Sequence, residues 1–321
     1  MPFQNLCMKV GDIIGGESLI RPMDMPRKDL YREIEMRLTV NINITTLGTP
    51  VLKAHSPAAW LKRIELIADG KDTIKSLDAR ALVLKNFFLY GNYPRRTVPT
   101  LATGDNYFYQ TIHIPLAMPH TARPIDTLID SSLLSTFELR TTWGVKLDGF
   151  VTAPTAYTLS VANASVHLLS AINLSEGALA LNVYKEGLIE VPLTATTTNL
   201  QALLPVGNLY RGFLITAEKD GELQDNLINR VTLQSGTTVY WSQTWAEIQG
   251  HDAMAMDMES QAFVGAAYVD FCPDGRLIDA LDSSKLSMLQ LVFDVTYASG
   301  TCYVKIYPDE VIVPVVVRAK G

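Results

Sequence analysis

The chain has 321 residues, of which 48% are hydrophobic and 19% are charged, and its formal net charge is −6. This length and apolar content are enough for two ordinary domains with buried cores, so a disordered chain is excluded. A general nucleic-acid-binding surface is also excluded, because it would need clustered Lys and Arg to displace phosphate counterions. Abundant Thr and Val, without long Ala/Glu/Lys-rich stretches, indicate a mostly β protein.

Residues 1–30 show little periodicity, contain Pro22 and Pro26, and carry balanced charges. We therefore expect an extended N-terminal arm over 1–30. The segment lacks the charged start and apolar core of a secretory signal, so synthesis in a reducing cytosol is expected. An odd number of cysteines without CxxC spacing predicts free thiols, two buried and one mobile, rather than a disulfide framework or zinc site.

The clearest strand signal is "REIEMRLTVNINITT", where apolar residues occupy every second position from Ile34 to Ile44. A period of two predicts a long strand with one face toward a core. Next, an Asp69-Gly70 dipeptide separates two strand-like runs and predicts a hairpin. After it, Asp78 and Gly91 bound a helical run in the N-cap and stop positions.

Two further strands follow in the first half. "YFYQTIHIPLAM" is one, and "FELRTTW" is the other, with Phe137, Leu139, Thr141 and Trp143 on one face.

The second half repeats this order. "INRVTLQSGTTVYW" matches the first hairpin, with Arg230 in the place of Arg63. Thr244 and Glu247 then form a predicted capping box, and Gly250 is the predicted stop of a short helix. "AAYVDF" is predicted to be the next strand.

The strongest evidence of duplication is a repeated phrase, "DSSLLSTFEL" from Asp130 and "DSSKLSMLQL" from Asp282. Short polar side chains at such turns bond nearby backbone groups, so a structural role is predicted. The predicted structural turn residues are Asp130, Ser131, Ser132, Asp282, Ser283 and Ser284.

Together these elements predict an all-β chain of two tandem jelly rolls, each eight-stranded and antiparallel with a short helix after an early hairpin. The predicted domains are residues 31–174 and 175–321, the second including a C-terminal tail. The first copy is about fifteen residues longer between Arg63 and Asp130, and this extra length is expected in surface loops.

No motif for catalysis, cofactor binding or metal binding stands out. The five histidines have no metal-ligand spacing, and neither a nucleophile elbow nor a phosphate loop is present. Two groups give a weaker signal for chemistry: an acid/base group in "HDAMAMDMES" and an aromatic sugar platform. Their members are His251, Asp252, Asp257 and Glu259 for the first, and Tyr240, Trp241, Trp245 and Tyr268 for the second. A solvated helix exit and core packing are the preferred interpretations, so no catalytic, cofactor or metal residue is predicted.

The chain resembles the double jelly-roll major capsid proteins of icosahedral viruses and phages with an internal membrane. The resemblance covers residues 30–316 and is carried by "RIELIADGKDTIKSLDARAL", "FELRTTWG" and "YVDFCPDGRLIDALDSSKLSMLQLVFDV". It implies a non-enzymatic shell protein, made in the host cytoplasm and located in the virion, whose homotrimers have a hexagonal outline.

The implied partners are the chain itself, neighbouring capsomers and minor capsid or penton proteins. The N-terminal arm or C-terminal tail would contact the internal membrane, and the fifteen extra residues are candidates for an outer tower. Deleting the arm is then expected to leave trimers intact but prevent shell assembly. Two alternatives stay open: a two-jelly-roll hydrolase or lectin acting on glycans, and a spike or minor capsid protein of the same fold.

Overall fold

The alternating segment around Ile34 forms Leu30–Thr46, one of the two longest strands among the described residues, and all six of its alternating apolar side chains are buried. The structure, a computed structural model, describes residues 4–121, 127–172, 182–258 and 263–312. We refer to residues 4–172 as the first barrel and 182–312 as the second barrel.

The first barrel contains β1 (Gln4–Ile14), β2 (Ile20–Asp24), β3 (Leu30–Thr46), β4 (Val51–Leu52), α1 (Ser56–Ala59), β5 (Leu61–Ala68), β6 (Asp72–Leu77), α2 (Ala79–Tyr90), β7 (Arg96–Thr97), β8 (Gly104–Pro115), β9 (Ile129–Asp130), β10 (Phe137–Trp143), β11 (Phe150–Thr152) and β12 (Ala156–Ile172). The second contains β13 (Val183–Glu186), β14 (Ile189–Leu193), β15 (Thr197–Leu204), β16 (Leu209–Lys219), β17 (Glu222–Leu223), β18 (Ile228–Ser235), β19 (Thr238–Thr244), α3 (Trp245–Ala255), β20 (Ala266–Asp270), β21 (Leu281–Asp282), β22 (Leu289–Val295) and β23 (Cys302–Ile312).

Both barrels have the same strand order. In the first, β1-β12-β3-β8 form one sheet and β2-β10-β5-β6 lie side by side in the other. In the second, the corresponding sets are β14-β23-β16-β20 and β15-β22-β18-β19. When the eight main strands of each barrel are numbered along the chain, one sheet of each barrel has the order 1-8-3-6 and the other sheet has the order 2-7-4-5. The predicted fold, two tandem jelly rolls, is confirmed.

The expectation of an N-terminal arm is wrong for residues 4–24. Strand β1 pairs with β12 and β2 pairs with β10, so this segment supplies two of the eight main strands of the first barrel. A register shift between Lys9 and Gly11 breaks the alternation of β1, which hid the strand in the sequence. Pro22 is tolerated because β2 lies at the end of its sheet, where a missing N–H breaks no ladder. The predicted boundary at 174/175 lies outside the described residues.

The predicted helix starts are confirmed. Asp78 accepts a hydrogen bond from the Ala81 amide at 2.7 Å, and Gly91 ends α2 in the left-handed conformation at φ 69°. Thr244 and Glu247 form the predicted capping box of α3. The predicted stop at Gly250 is wrong, because α3 continues to Ala255.

The end of α3 is set by tertiary packing rather than by a glycine. Asp252 and Ala253, beyond Gly250, are both buried. The helix therefore gains packing by continuing through Gly250.

The extra residues of the first copy are not all in loops. Strand β8 has twelve residues and its counterpart β20 has five, so a large part of the extra length extends a strand.

The hydrophobic core of the first barrel reaches into the second. Its buried cluster includes Leu214, Tyr268 and Tyr307 of the second barrel, which otherwise has a core of its own. No helix in the described ranges is long and apolar enough to cross a membrane.

Candidate functional site: the charged junction between the barrels

Helix α2 lies at the junction between the two barrels. Nine of its twelve residues are buried, including the polar Lys85 and Asn86. A helix that is buried nearly all round must be covered from more than one side. Packing on β8 covers part of α2, and packing on β16 and β20 covers another part.

A parallel strand contact joins the sheets of the two barrels. Lys75 of β6 is paired with Glu186 of β13, and Glu186 is paired on its other side with Asp309 of β23. One sheet of each barrel therefore joins at the junction: β2-β10-β5-β6 of the first barrel and β14-β23-β16-β20 of the second belong to one continuous eleven-stranded sheet.

Four buried charges meet at this contact. Lys75 Nζ lies 2.7 Å from Glu186 Oε2 and 3.8 Å from the centre of the Tyr184 ring. Lys85 Nζ donates to both Glu186 and Asp309. All four side chains are at most 1% exposed. Two cations and two anions balance each other, which is the condition under which buried charges are tolerated.

The pKa values follow from this pairing. Burial alone would raise the pKa of Glu186, but the two neighbouring lysines hold it at about 2. Burial lowers the pKa of Lys75 to about 8, despite its carboxylate partner. Burial raises the pKa of Asp309, whose Oδ2 also accepts a hydrogen bond from Tyr268 Oη at 2.6 Å. At neutral pH Glu186 is therefore ionised and Lys75 is mostly protonated.

A second polar group joins the start of α2 to the second barrel. Arg80 lies 3.0 Å from Glu218 and donates to the Gly221 carbonyl at 2.8 Å. Lys305 also contacts Glu218, at 2.9 Å. The Tyr307 hydroxyl donates to Asp78, so the residue that caps α2 also binds the second barrel.

Arg211 and the aromatic residues complete the junction. Arg211 is 2% exposed and donates to the Pro119 carbonyl of the first barrel at 2.9 Å. Phe88 of α2 is stacked on Tyr268, with ring centres 5.9 Å apart. A shared core, a shared sheet and paired buried charges therefore join the two barrels.

Among the described members of the predicted acid/base group, His251, Asp252 and Asp257, no two side chains are hydrogen-bonded to each other. His251 is exposed, whereas the neighbouring Asp252 is buried and accepts a hydrogen bond from the Tyr268 amide at 2.8 Å. Burial raises the pKa of Asp252 to about 7. Asp257 is exposed at the turn after α3, and Glu259 lies outside the described residues. Asp252 is thus a packing residue.

The aromatic residues considered as a sugar platform are divided between core and surface. Trp245 and Tyr268 are buried, Trp241 packs partly against the second core, and Tyr240 is 46% exposed. The preferred interpretation, core packing, holds for Trp245 and Tyr268.

Ser131 and Ser283, the first serine of each repeated phrase, have matching partners. Ser131 Oγ donates to the Asp29 carbonyl at 2.7 Å, and Ser283 Oγ donates to the Asn208 carbonyl at 2.6 Å. Each hydroxyl also accepts a bond from the amide of the same partner, and both serines are fully buried. Each therefore ties its turn to the residue before the third main strand.

The aspartates of the repeat act locally. Asp130 Oδ1 accepts from the Ser132 amide at 3.1 Å, and Asp282 Oδ1 accepts from the Ser284 amide at 2.8 Å. These are Asx-type turns, in which the carboxylate mimics a backbone carbonyl.

The three cysteines are free thiols. Cys272 and Cys302 are buried, as predicted, and Cys7 is exposed. Among the described residues, no three or more His, Cys, Asp and Glu side chains form a group that could hold a metal ion.

Sequence reasoning missed the junction itself. Its one local signal is Lys85, a lysine in the apolar run "LVLKNFF". Its partner Asp309 is 224 residues away along the chain, a separation that no local pattern spans.

No protein-family model matches the chain, and no curated protein matches its sequence. Solved structures match over nearly the whole length. The major capsid protein of Sulfolobus turreted icosahedral virus gives a TM-score of 0.78 at 13% identity, with 97% of each chain covered. The major capsid protein P2 of bacteriophage PM2 gives 0.63 at 11% identity, with 96% of this chain and 98% of that chain covered. The PBCV-1 capsid gives 0.63 at 10% identity, with 97% and 94% covered. The predicted resemblance to double jelly-roll capsid proteins is confirmed at the level of fold.

Proposed function

We propose that the chain is a structural major capsid protein, without enzymatic activity, whose homotrimers tile an icosahedral shell. The observation that carries the proposal is the pair of equivalent barrels joined by a shared core and a continuous sheet. A chain with two similar barrels held in a fixed arrangement presents two similar positions, so three chains present six. The likeness in fold to capsid proteins over 97% of the chain supports this reading.

The partners follow from the same proposal. They are further copies of the chain, neighbouring capsomers and minor capsid or penton proteins, and the location is the virion after synthesis in the host cytoplasm. Residues 1–30 are not proposed to form an arm that contacts a membrane or neighbouring capsomers, because residues 4–24 belong to the first barrel. Contact with an internal membrane is proposed instead for the C-terminal tail, of which 313–321 lie outside the described residues.

A glycan-acting hydrolase or lectin is not favoured. The aromatic residues that would form its platform are split between core and surface, and Asp252 is engaged by a backbone amide.

Negative-stain electron microscopy of the purified chain tests the proposal. We expect particles with a hexagonal outline that form regular arrays when concentrated. Single two-lobed particles that never associate, together with selective binding in a glycan screen, would contradict it and favour the lectin or hydrolase.

A further inference from the structure

The duplication makes residues of the two barrels equivalent one by one. Arg63 donates to Ser76 Oγ at 2.7 Å, and Arg230 donates to Ser242 Oγ at 3.4 Å, across the same pair of strands. In the same way, Asn86 accepts from the His113 amide at 2.9 Å and Asp252 accepts from the Tyr268 amide at 2.8 Å. These contacts fix the alignment of β6 and α2 with β19 and α3.

This alignment identifies the second-barrel counterparts of the junction residues. Lys75 corresponds to Trp241, because Leu66 pairs with Lys75 and Leu233 pairs with Trp241. Counting along the helices from their caps, Lys85 corresponds to His251, and Phe88 corresponds to Met254.

The counterparts differ in exposure. Phe88 is 5% exposed between the barrels, whereas Met254 is 75% exposed. His251 is exposed and Trp241 is partly buried, although Lys75 and Lys85 are fully covered. Val239 and Tyr240 of β19, and Val264 just before β20, are also exposed. The second barrel thus carries the junction surface without a covering barrel, and large exposed apolar side chains on β19 and α3 favour a protein interface there.

The first barrel carries the complementary half. Glu186 pairs with Asp309, and in the equivalent strands Cys7 pairs with Leu169. Likewise His113 of β8 is the counterpart of Tyr268 of β20, the residue on which Phe88 is stacked. Cys7 is exposed and the His113 side chain is 32% exposed, so this face is also open in the single chain.

We infer that β19 and α3 of one copy pack on β1, β12 and β8 of a second copy, as β6 and α2 pack on β13, β23 and β20 within the chain. The inference rests on the proposed function and adds the residues of the contact. The occupant is a second copy because each chain carries both halves of the same junction on different barrels. Such a head-to-tail contact makes a ring when its rotation closes.

The chemistry of the contact also changes in a consistent way. The internal junction buries lysines against carboxylates, whereas in the inferred contact the counterparts Trp241 and Met254 would lie against Cys7 and Leu169 of the second copy. A contact between chains that fold separately must expose its surface first, and apolar groups lose less hydration than charges when they meet.

Disulfide formation tests the contact directly. Lys75 and Glu186 are paired residues in adjacent strands, so a Trp241→Cys variant is expected to place its thiol beside native Cys7 of the next copy. Oxidised glutathione accepts the two electrons and two protons of the reaction. We expect covalent trimers on a non-reducing gel, their loss when Cys7→Ser is added, and no cross-link for Ile278→Cys, an 87% exposed control. Cys272 and Cys302 are buried and do not compete.

Met254→Glu provides a second test that does not disturb a core. The variant is expected to weaken self-association at least tenfold by light scattering, while Ile278→Glu leaves it unchanged. A wild-type trimer that persists in Met254→Glu, with no cross-link in Trp241→Cys, would overturn this contact and leave the capsid proposal standing. A wild-type chain that stays monomeric at high concentration would overturn the proposed function itself.

Discussion

Lys75 and Glu186 belong to different barrels, yet they are paired residues in adjacent parallel strands, with Nζ 2.7 Å from Oε2 and both side chains fully buried. Glu186→Gln would leave Lys75 and Lys85 buried beside Asp309 alone. Because breaking a buried ion pair strands an uncompensated charge, we expect the free energy of unfolding to fall by about 3–5 kcal/mol in urea titrations.

The matched control for this substitution is Glu65→Gln. Glu65 contacts Arg63 at 3.4 Å on the surface, and its loss should cost less than about 1 kcal/mol. Equal effects of the two substitutions would contradict the role assigned to the buried junction.

Asp252 gives the protein a pH dependence of known sign. Its pKa is raised to about 7 in the folded chain, above the ordinary value of 3.8. Its contribution to stability is therefore fully present below about pH 4 and is lost as the pH rises through 7. Asn can still accept the Tyr268 amide, so Asp252→Asn is expected to be more stable than the wild type at pH 8, by roughly 1–3 kcal/mol, and little changed at pH 4. Thermal melts at the two pH values measure this, and a pH-independent difference would refute it.

The two copies of the repeated turn are expected to have equal weight. Ser131→Ala and Ser283→Ala each leave buried backbone groups of Asp29 or Asn208 without their partner, which costs about 1–3 kcal/mol. The exposed Ser284 serves as control, and Ser284→Ala should change stability by less than about 0.5 kcal/mol. Urea titration of the three variants decides the point. A near-zero effect of Ser131→Ala or Ser283→Ala would show that the turn does not depend on its serine.

Removing residues 1–24 distinguishes a strand-forming segment from an arm. The deletion removes β1 and β2, and with them the buried core residue Ile13 and one edge of each sheet. We expect an insoluble or protease-sensitive product, assayed by limited proteolysis and circular dichroism. A soluble, protease-resistant trimer would restore the view that this segment is an arm.

Local signals account for what the sequence could predict. The alternation through β3, the Asp78 and Thr244 caps and the duplicated turn all act within a few residues, where the chain chemistry is visible. Duplication extended these signals to the whole fold, because each element had a second copy to support it.

The misses have physical causes of longer range. The register shift in β1 and Pro22 at a sheet edge removed the usual strand pattern from real strands. Packing against the second barrel carried α3 through Gly250. The junction depends on pairs such as Lys85 with Asp309, which the fold alone brings together.

The mass of the native protein in solution, measured by light scattering over a range of concentrations, tests the central claim most directly. The account predicts a species of three times the 35.4 kDa chain mass. A mass of one chain at every concentration would contradict it, because the exposed junction surfaces of both barrels would then have no second copy to cover them.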